Sequence, residues 1–83
     1  MELRIKETAK RKGFTMRKLS EISNIDAVTL SRYNKGVIEP PLSRLKIIAD
    51  ALDCEIVELI PVGEKYAHWI NNDIWMGVIK KER

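Results

Sequence analysis

The chain has 83 residues, enough for one small domain. Its 45% apolar and 33% charged content fits a folded globular protein rather than a disordered one. The apolar runs are only a few residues long, so no membrane-spanning helix is expected. The charged start, MELRIKETAKRKG, has no apolar leader stretch, and a cytoplasmic location is expected. One cysteine, Cys54, excludes an internal disulfide and leaves no Cys/His cluster for zinc. Net charge is +3, but unevenly placed: residues 1–35 hold nine Lys/Arg against four Asp/Glu. Residues 36–64 reverse this, with two against six, and residues 65–83 hold four against two. A basic first part is what a phosphate-facing surface requires, although solvated lysine-rich helices give the same pattern.

In chain order, a first helix is expected from about Glu2 to Lys12, with Leu3, Ile5 and Ala9 inward and Gly13 as its stop. Phe14 then enters the core. Thr15 N-caps a second helix carrying Met16, Leu19 and Ile22 at helical spacing. Ser23 and Asn24 end it, since asparagine tolerates the left-handed backbone of a tight turn. Ile25 plugs that turn, and Asp26 caps a third helix that Gly36 closes. On this third helix Leu30 and Tyr33 face inward, while Ala27, Val28, Ser31, Arg32 and Lys35 share the other side. Pro40 and Pro41 interrupt the helices, and proline suits the first turn of the next one. Leu42, Leu45, Ile48, Ala49 and Leu52 form an amphipathic stripe on a fourth helix. A short fifth helix is expected from about Val57 to Ile60.

After Pro61 the composition shifts, and Tyr66, Trp69 and Trp75 bring three of the five aromatics. KYAHWI and IWMGVIK flank Asn71-Asn72-Asp73, a turn-forming cluster, and the stretch reads as a β-hairpin. A short C-terminal helix is the alternative, disfavoured by that cluster. With a three-residue loop, Ile70 pairs with Ile74, Trp69 with Trp75 and Ala67 with Gly77, giving a tryptophan pair on one face. A lone hairpin apolar on both faces is marginal in water and must be covered, by its own bundle or by another chain.

The run Leu19-Ser20-Glu21-Ile22-Ser23-Asn24-Ile25-Asp26, then Thr29-Leu30-Ser31-Arg32-Tyr33 and Lys35-Gly36, resembles the helix-turn-helix of the Cro and lambda-repressor-like (XRE-type) regulator family. Glu39-Pro40, Leu42, Leu45, Ile48-Ala49, Ala51-Leu52 and Leu59-Ile60 extend the resemblance over about residues 1–61. It implies a mainly α fold: a five-helix lambda-repressor-like DNA-binding bundle over 1–61, followed by a C-terminal β-hairpin extension over 62–83. Three positions depart from the family pattern. Asn24 stands where glycine is usual, Ser20 where alanine faces the reading helix, and Asp26 where Ser or Thr commonly caps. A carboxylate at that cap repels phosphate.

The resemblance implies base reading by Ala27, Val28, Ser31 and Arg32. Small residues let the helix backbone approach the groove, and Arg32 can contact guanine O6 and N7 for about 1–3 kcal/mol of discrimination. Ala27 and Val28 can touch thymine methyl groups. The bland alternatives are a phosphate or solvent role for Arg32 and ordinary packing for Val28. Phosphate contacts fall to Thr15 with the second helix's first amides, and to Arg17, Lys18, Thr29, Lys35 and Ser43. About five such contacts per monomer give a slope of log affinity on log salt of roughly −4 to −5.

The expected partner is a double-stranded DNA operator bound by a homodimer, without cofactor, metal or membrane. Tyr66, Trp69, Ile74, Trp75 and Met76 are the candidates for the dimer contact or for a protein partner of the tail. The competing readings are an antitoxin-like or adaptor protein whose aromatic tail grips another protein, and a helical domain that binds no DNA. Catalysis finds little footing. His68 is the single histidine and is expected on a strand surface, Cys54 is expected to pack, and Glu55 and Glu58 are expected on a solvated acidic face.

Overall fold

The computed structural model describes residues 1–82. Four α-helices come first: α1 (Ile5–Arg11), α2 (Met16–Ser23), α3 (Ala27–Lys35) and α4 (Leu42–Leu52). A single 3-10 turn over Ile56–Leu59 follows, then β1 (Tyr66–Asn71) and β2 (Ile74–Lys80) as an antiparallel pair. The expected fifth helix is therefore only this turn. Its bonds span three residues, from the Glu58 amide to the Glu55 carbonyl and from the Ile60 amide to the Val57 carbonyl, and the turn is well capped. Glu55 and Glu58 form a capping box, in which the Glu58 Oε2 accepts from the Glu55 amide at 2.9 Å.

The helices start and stop where local chemistry directs them. Thr15 accepts from the Lys18 amide at 3.0 Å and begins α2. Asn24, at φ 60°, ends α2 in the left-handed conformation. Gly36 ends α3 at φ 80°, and there glycine is also a steric necessity. A Cβ at this position would lie 2.6 Å from the Met1 carbonyl oxygen, so the N-terminal strand of chain could not pass.

The core is built from Ile5, Ala9, Leu19, Ile25, Leu30, Tyr33, Leu45, Ile48, Ala49, Leu52 and Leu59, with Leu3, Phe14, Met16 and Ile56 packed around it. Ile22 does not join them and is 47% exposed; Ser23 is buried instead. Steps of three fall short of the 3.6-residue turn, so positions 16, 19 and 22 drift around α2. Positions 16, 19 and 23 stay on one face. The buried Ser23 hydroxyl oxygen accepts from the Ile25 amide at 3.3 Å and so shapes the turn between α2 and α3.

Glu58 is a second correction. It is buried, not solvated, and its Oε1 accepts from Arg11 Nη2 at 2.8 Å, with both side chains under a tenth exposed. Its carbonyl accepts from the Thr8 hydroxyl and from Arg4 Nε, each at 3.3 Å. The third helix and the chain start are also joined. The Asn34 carbonyl accepts from the Leu3 amide at 3.0 Å, and its side-chain oxygen accepts from the Lys6 amide at 2.9 Å. A residue of α3 thus satisfies an amide in the first turn of α1.

The hairpin forms, with a different register. Asn72 and Asp73 are its two turn residues, at φ 51° and 63°. Two successive positive φ values are what a two-residue type I′ hairpin turn needs, and Asn and Asp tolerate them. Asn71 consequently belongs to β1 and pairs with Ile74, while Ile70 pairs with Trp75. A bulge between Trp69 and Ile70 leaves Met76 extra and brings Trp69 opposite Gly77. The two tryptophans therefore lie on opposite faces. Trp75 lies beside His68 on one face, where Trp75 Nε1 donates to His68 Nδ1 at 2.8 Å. Trp69 lies on the other, opposite Gly77.

Candidate nucleic-acid interface

The third helix presents two separate surfaces. At 100° per residue, Ala27, Ser31, Lys35, Val28 and Arg32 occupy an arc of about 140°. Leu30 and Tyr33 lie on the other side and are buried. Of the four base-reading candidates, Ala27, Val28 and Arg32 are exposed and Ser31 is half-buried; Val28 is 56% exposed. That exposure does not fit packing of Val28 under α2. No carboxylate lies within 4.0 Å of the Arg32 guanidinium among the described residues.

Asp26 closes the N-terminal end of this surface. Its Oδ1 accepts from the Val28 amide at 3.2 Å, and its Oδ2 accepts from the Thr29 amide at 3.2 Å and from the Thr29 hydroxyl at 2.6 Å. The Thr29 hydroxyl and the helix amides hold the Asp26 carboxyl below its usual range, with a smaller contribution from Arg32. Two consequences follow. The helix's free amides already serve a carboxylate, so no phosphate is needed there. The one proton of the Thr29 hydroxyl is directed to Asp26, which leaves it none for a phosphate oxygen, an acceptor only.

The other phosphate candidates are placed as follows. Thr15, Arg17 and Lys18 are exposed around the first turn of α2, with Lys18 Nζ 4.0 Å from Glu21 Oε1. Lys35 is exposed in the last turn of α3, and Ser43 is exposed in the first turn of α4. In the hairpin, Tyr66, Trp69, Ile74 and Met76 are exposed and Trp75 is half-buried. Ile70, Val78 and Ile79 add to the exposed apolar surface. Their share of that surface depends on the register, which local pattern had not fixed.

His68 departs from the surface role expected of it. With Nδ1 accepting from Trp75, the ring proton resides on Nε2, which lies 2.8 Å from the Ile60 carbonyl and donates to it. Cys54 is half-buried, and burial pushes its thiol up to about 11, so little nucleophilic thiolate exists near neutrality. Among the described residues, no three His, Cys, Asp or Glu side chains converge as a metal site. Among the same residues, no helix is long and apolar enough to cross a membrane.

A turn of this kind, with one helix carrying a buried face and an exposed basic face, defines a helix-turn-helix module. The chain matches the helix-turn-helix family over residues 5–59. No curated protein matches it. The chain belongs to the XRE-type helix-turn-helix family, of which Cro and lambda repressor are typical. It is a DNA-binding protein of the transcription-regulator kind, and the family is one of regulatory DNA-binding domains rather than enzymes.

Proposed function

We propose that the protein is a repressor-like regulator that binds a specific operator as a homodimer, with α3 in the major groove. The supporting observation is the arc of α3 on which Ala27, Val28 and Arg32 are exposed and Ser31 is half-buried at their side. Arg32 supplies the one strong hydrogen-bonding side chain and takes a guanine. Ala27 and Val28 meet thymine methyls, and Ser31 adds a weakly discriminating hydroxyl. Thr15, Arg17, Lys18, Lys35 and Ser43 fix the register on phosphates. Asp26 keeps phosphate away from the reading helix and holds its first turn.

A domain of this size reads only a few base pairs. Two copies on half-sites about 34 Å apart supply the missing affinity and selectivity. The residues after Pro61 are assigned to the dimer contact, because seven large apolar side chains of the hairpin are exposed on each copy. Selecting bound sequences from a random DNA library tests both points. The expected result is a two-fold related pair of half-sites. Failure to enrich any sequence, or unchanged binding in Arg32→Ala, would overturn the reading.

The same exposed hairpin supports a second reading, in which the tail grips an unrelated protein in the manner of an antitoxin or adaptor. Solution mass separates the two. A dimer that reverts to monomer in Trp69→Ser/Ile74→Ser supports the first reading. A wild-type monomer that binds DNA singly supports the second.

A further inference from the structure

Among the described residues, no hairpin side chain joins the apolar core, and polar tethers hold the hairpin to the bundle at two places. At its tip, Arg11 Nη1 donates to the Asp73 carbonyl at 3.1 Å, while Nη2 of the same guanidinium holds Glu58. At its base, His68 Nε2 donates to the Ile60 carbonyl and His68 Nδ1 receives the Trp75 N–H, so one imidazole ties both strands to the bundle. Beside the His68 tether an open cleft of about 450 Å³ remains, with Arg4 and Glu7 on the bundle side and Tyr66 and Ile70 on the hairpin side. The orientation of the hairpin therefore depends on few contacts, and these are directional ones.

We propose that Arg11 and His68 are positioning residues that set the angle between the hairpin and the reading helix, and so the half-site spacing the protein accepts. This rests on the hairpin-mediated dimer proposed above. The mechanical path is continuous. Arg11 belongs to α1, the first turn of α1 is bonded to Asn34, and Asn34 belongs to α3. A guanidinium suits the tip because its planar fork can serve a carboxylate and a carbonyl at once, which a lysine ammonium does less rigidly. The required accuracy is high. On a molecule 40 Å in its longest dimension, a tilt of about 5° moves the far end by about 3.4 Å, one base-pair rise.

The test uses the full chain and three variants: His68→Phe, Arg11→Lys and the double substitution. Each is measured for solution mass, thermal melting and binding to duplexes in which two copies of the wild-type half-site are separated by stepwise one-base-pair changes. The expected result is a wild-type dimer with one favoured spacing. The double variant stays dimeric and keeps the half-site, but its preference for that spacing over its neighbours falls about tenfold. Dimeric variants that keep the wild-type spacing profile overturn the proposal and leave the dimer intact. Monomeric variants also overturn it, since a positioning residue leaves the contact itself in place. A wild type that is monomeric, or indifferent to spacing, removes the dimer reading and this proposal together. Should Arg11→Lys fail to fold, His68→Phe alone decides, because it leaves the Arg11–Glu58 pair untouched.

Discussion

Between Ile5 and Leu59 the chain buries eleven apolar side chains around one centre, whereas between Tyr66 and Lys80 seven large apolar side chains are exposed. The two regions have similar apolar appetite and opposite outcomes. Helices can each turn one stripe inward and reach a common core. A two-stranded sheet has two faces, and one small bundle covers neither fully. The contrast teaches that the bundle is stabilised from within. The hairpin is stabilised by its ladder, by two tethers and, in the function proposed here, by a second copy.

Substitutions can separate these regions. The largest effect is expected for Glu58→Ala, which strands the buried Arg11 guanidinium and removes the capping box. A loss of about 3–5 kcal/mol in unfolding stability is expected by denaturant titration. Trp69→Ala should act oppositely, leaving the melting of the bundle nearly unchanged while weakening self-association by at least about 2 kcal/mol in sedimentation, as a central aromatic anchor does. If Trp69→Ala unfolds the bundle instead, the contrast drawn above is wrong. Arg32→Ala should keep both fold and dimer and weaken operator binding by about 1–3 kcal/mol, with relaxed preference at a single base position.

Smaller effects are expected at the cap and at the misplaced apolar residue. The Asp26 carboxyl titrates below its ordinary value near 3.8, so its stabilisation is present above that pH. It is lost as the pH falls through the lowered folded-state value. Asp26→Asn should therefore flatten the acid side of the stability profile below about pH 4, measured as melting temperature against pH. Ile22→Ser, on the exposed side of α2, should shift stability by no more than about 0.5 kcal/mol. A large loss there would restore Ile22 to the core.

Much of the bundle was legible in the sequence because its signals are local. Thr15, Asp26, Asn24 and Gly36 mark helix ends through bonds or backbone angles confined to a few residues. The stripe on α4 follows from period alone. The exposed arc of α3 was legible too, as the complement of the buried Leu30 and Tyr33. What escaped depends on partners distant in sequence. Glu58 looked solvated because Arg11 lies 47 positions away. His68 looked like surface because its bonds, to Ile60 and Trp75, are set by the hairpin's docking. The register slipped because Asn71, Asn72 and Asp73 are all competent turn residues. Strand twist, not composition, selects the two-residue turn, and the bulge at Met76 absorbs the difference. The direction of the Thr29 hydroxyl was not legible either, because a cap three residues back sets it.

The division of α3 into a buried and an exposed arc has an evolutionary consequence. Ala27, Val28 and Arg32 are exposed, so they can be exchanged without disturbing the packing of Leu30 or Tyr33, and the half-buried Ser31 is the least free of the four. With base reading by that arc, as proposed above, a lineage carrying this scaffold can change the DNA word it recognises through one or two substitutions while its folding remains under separate selection.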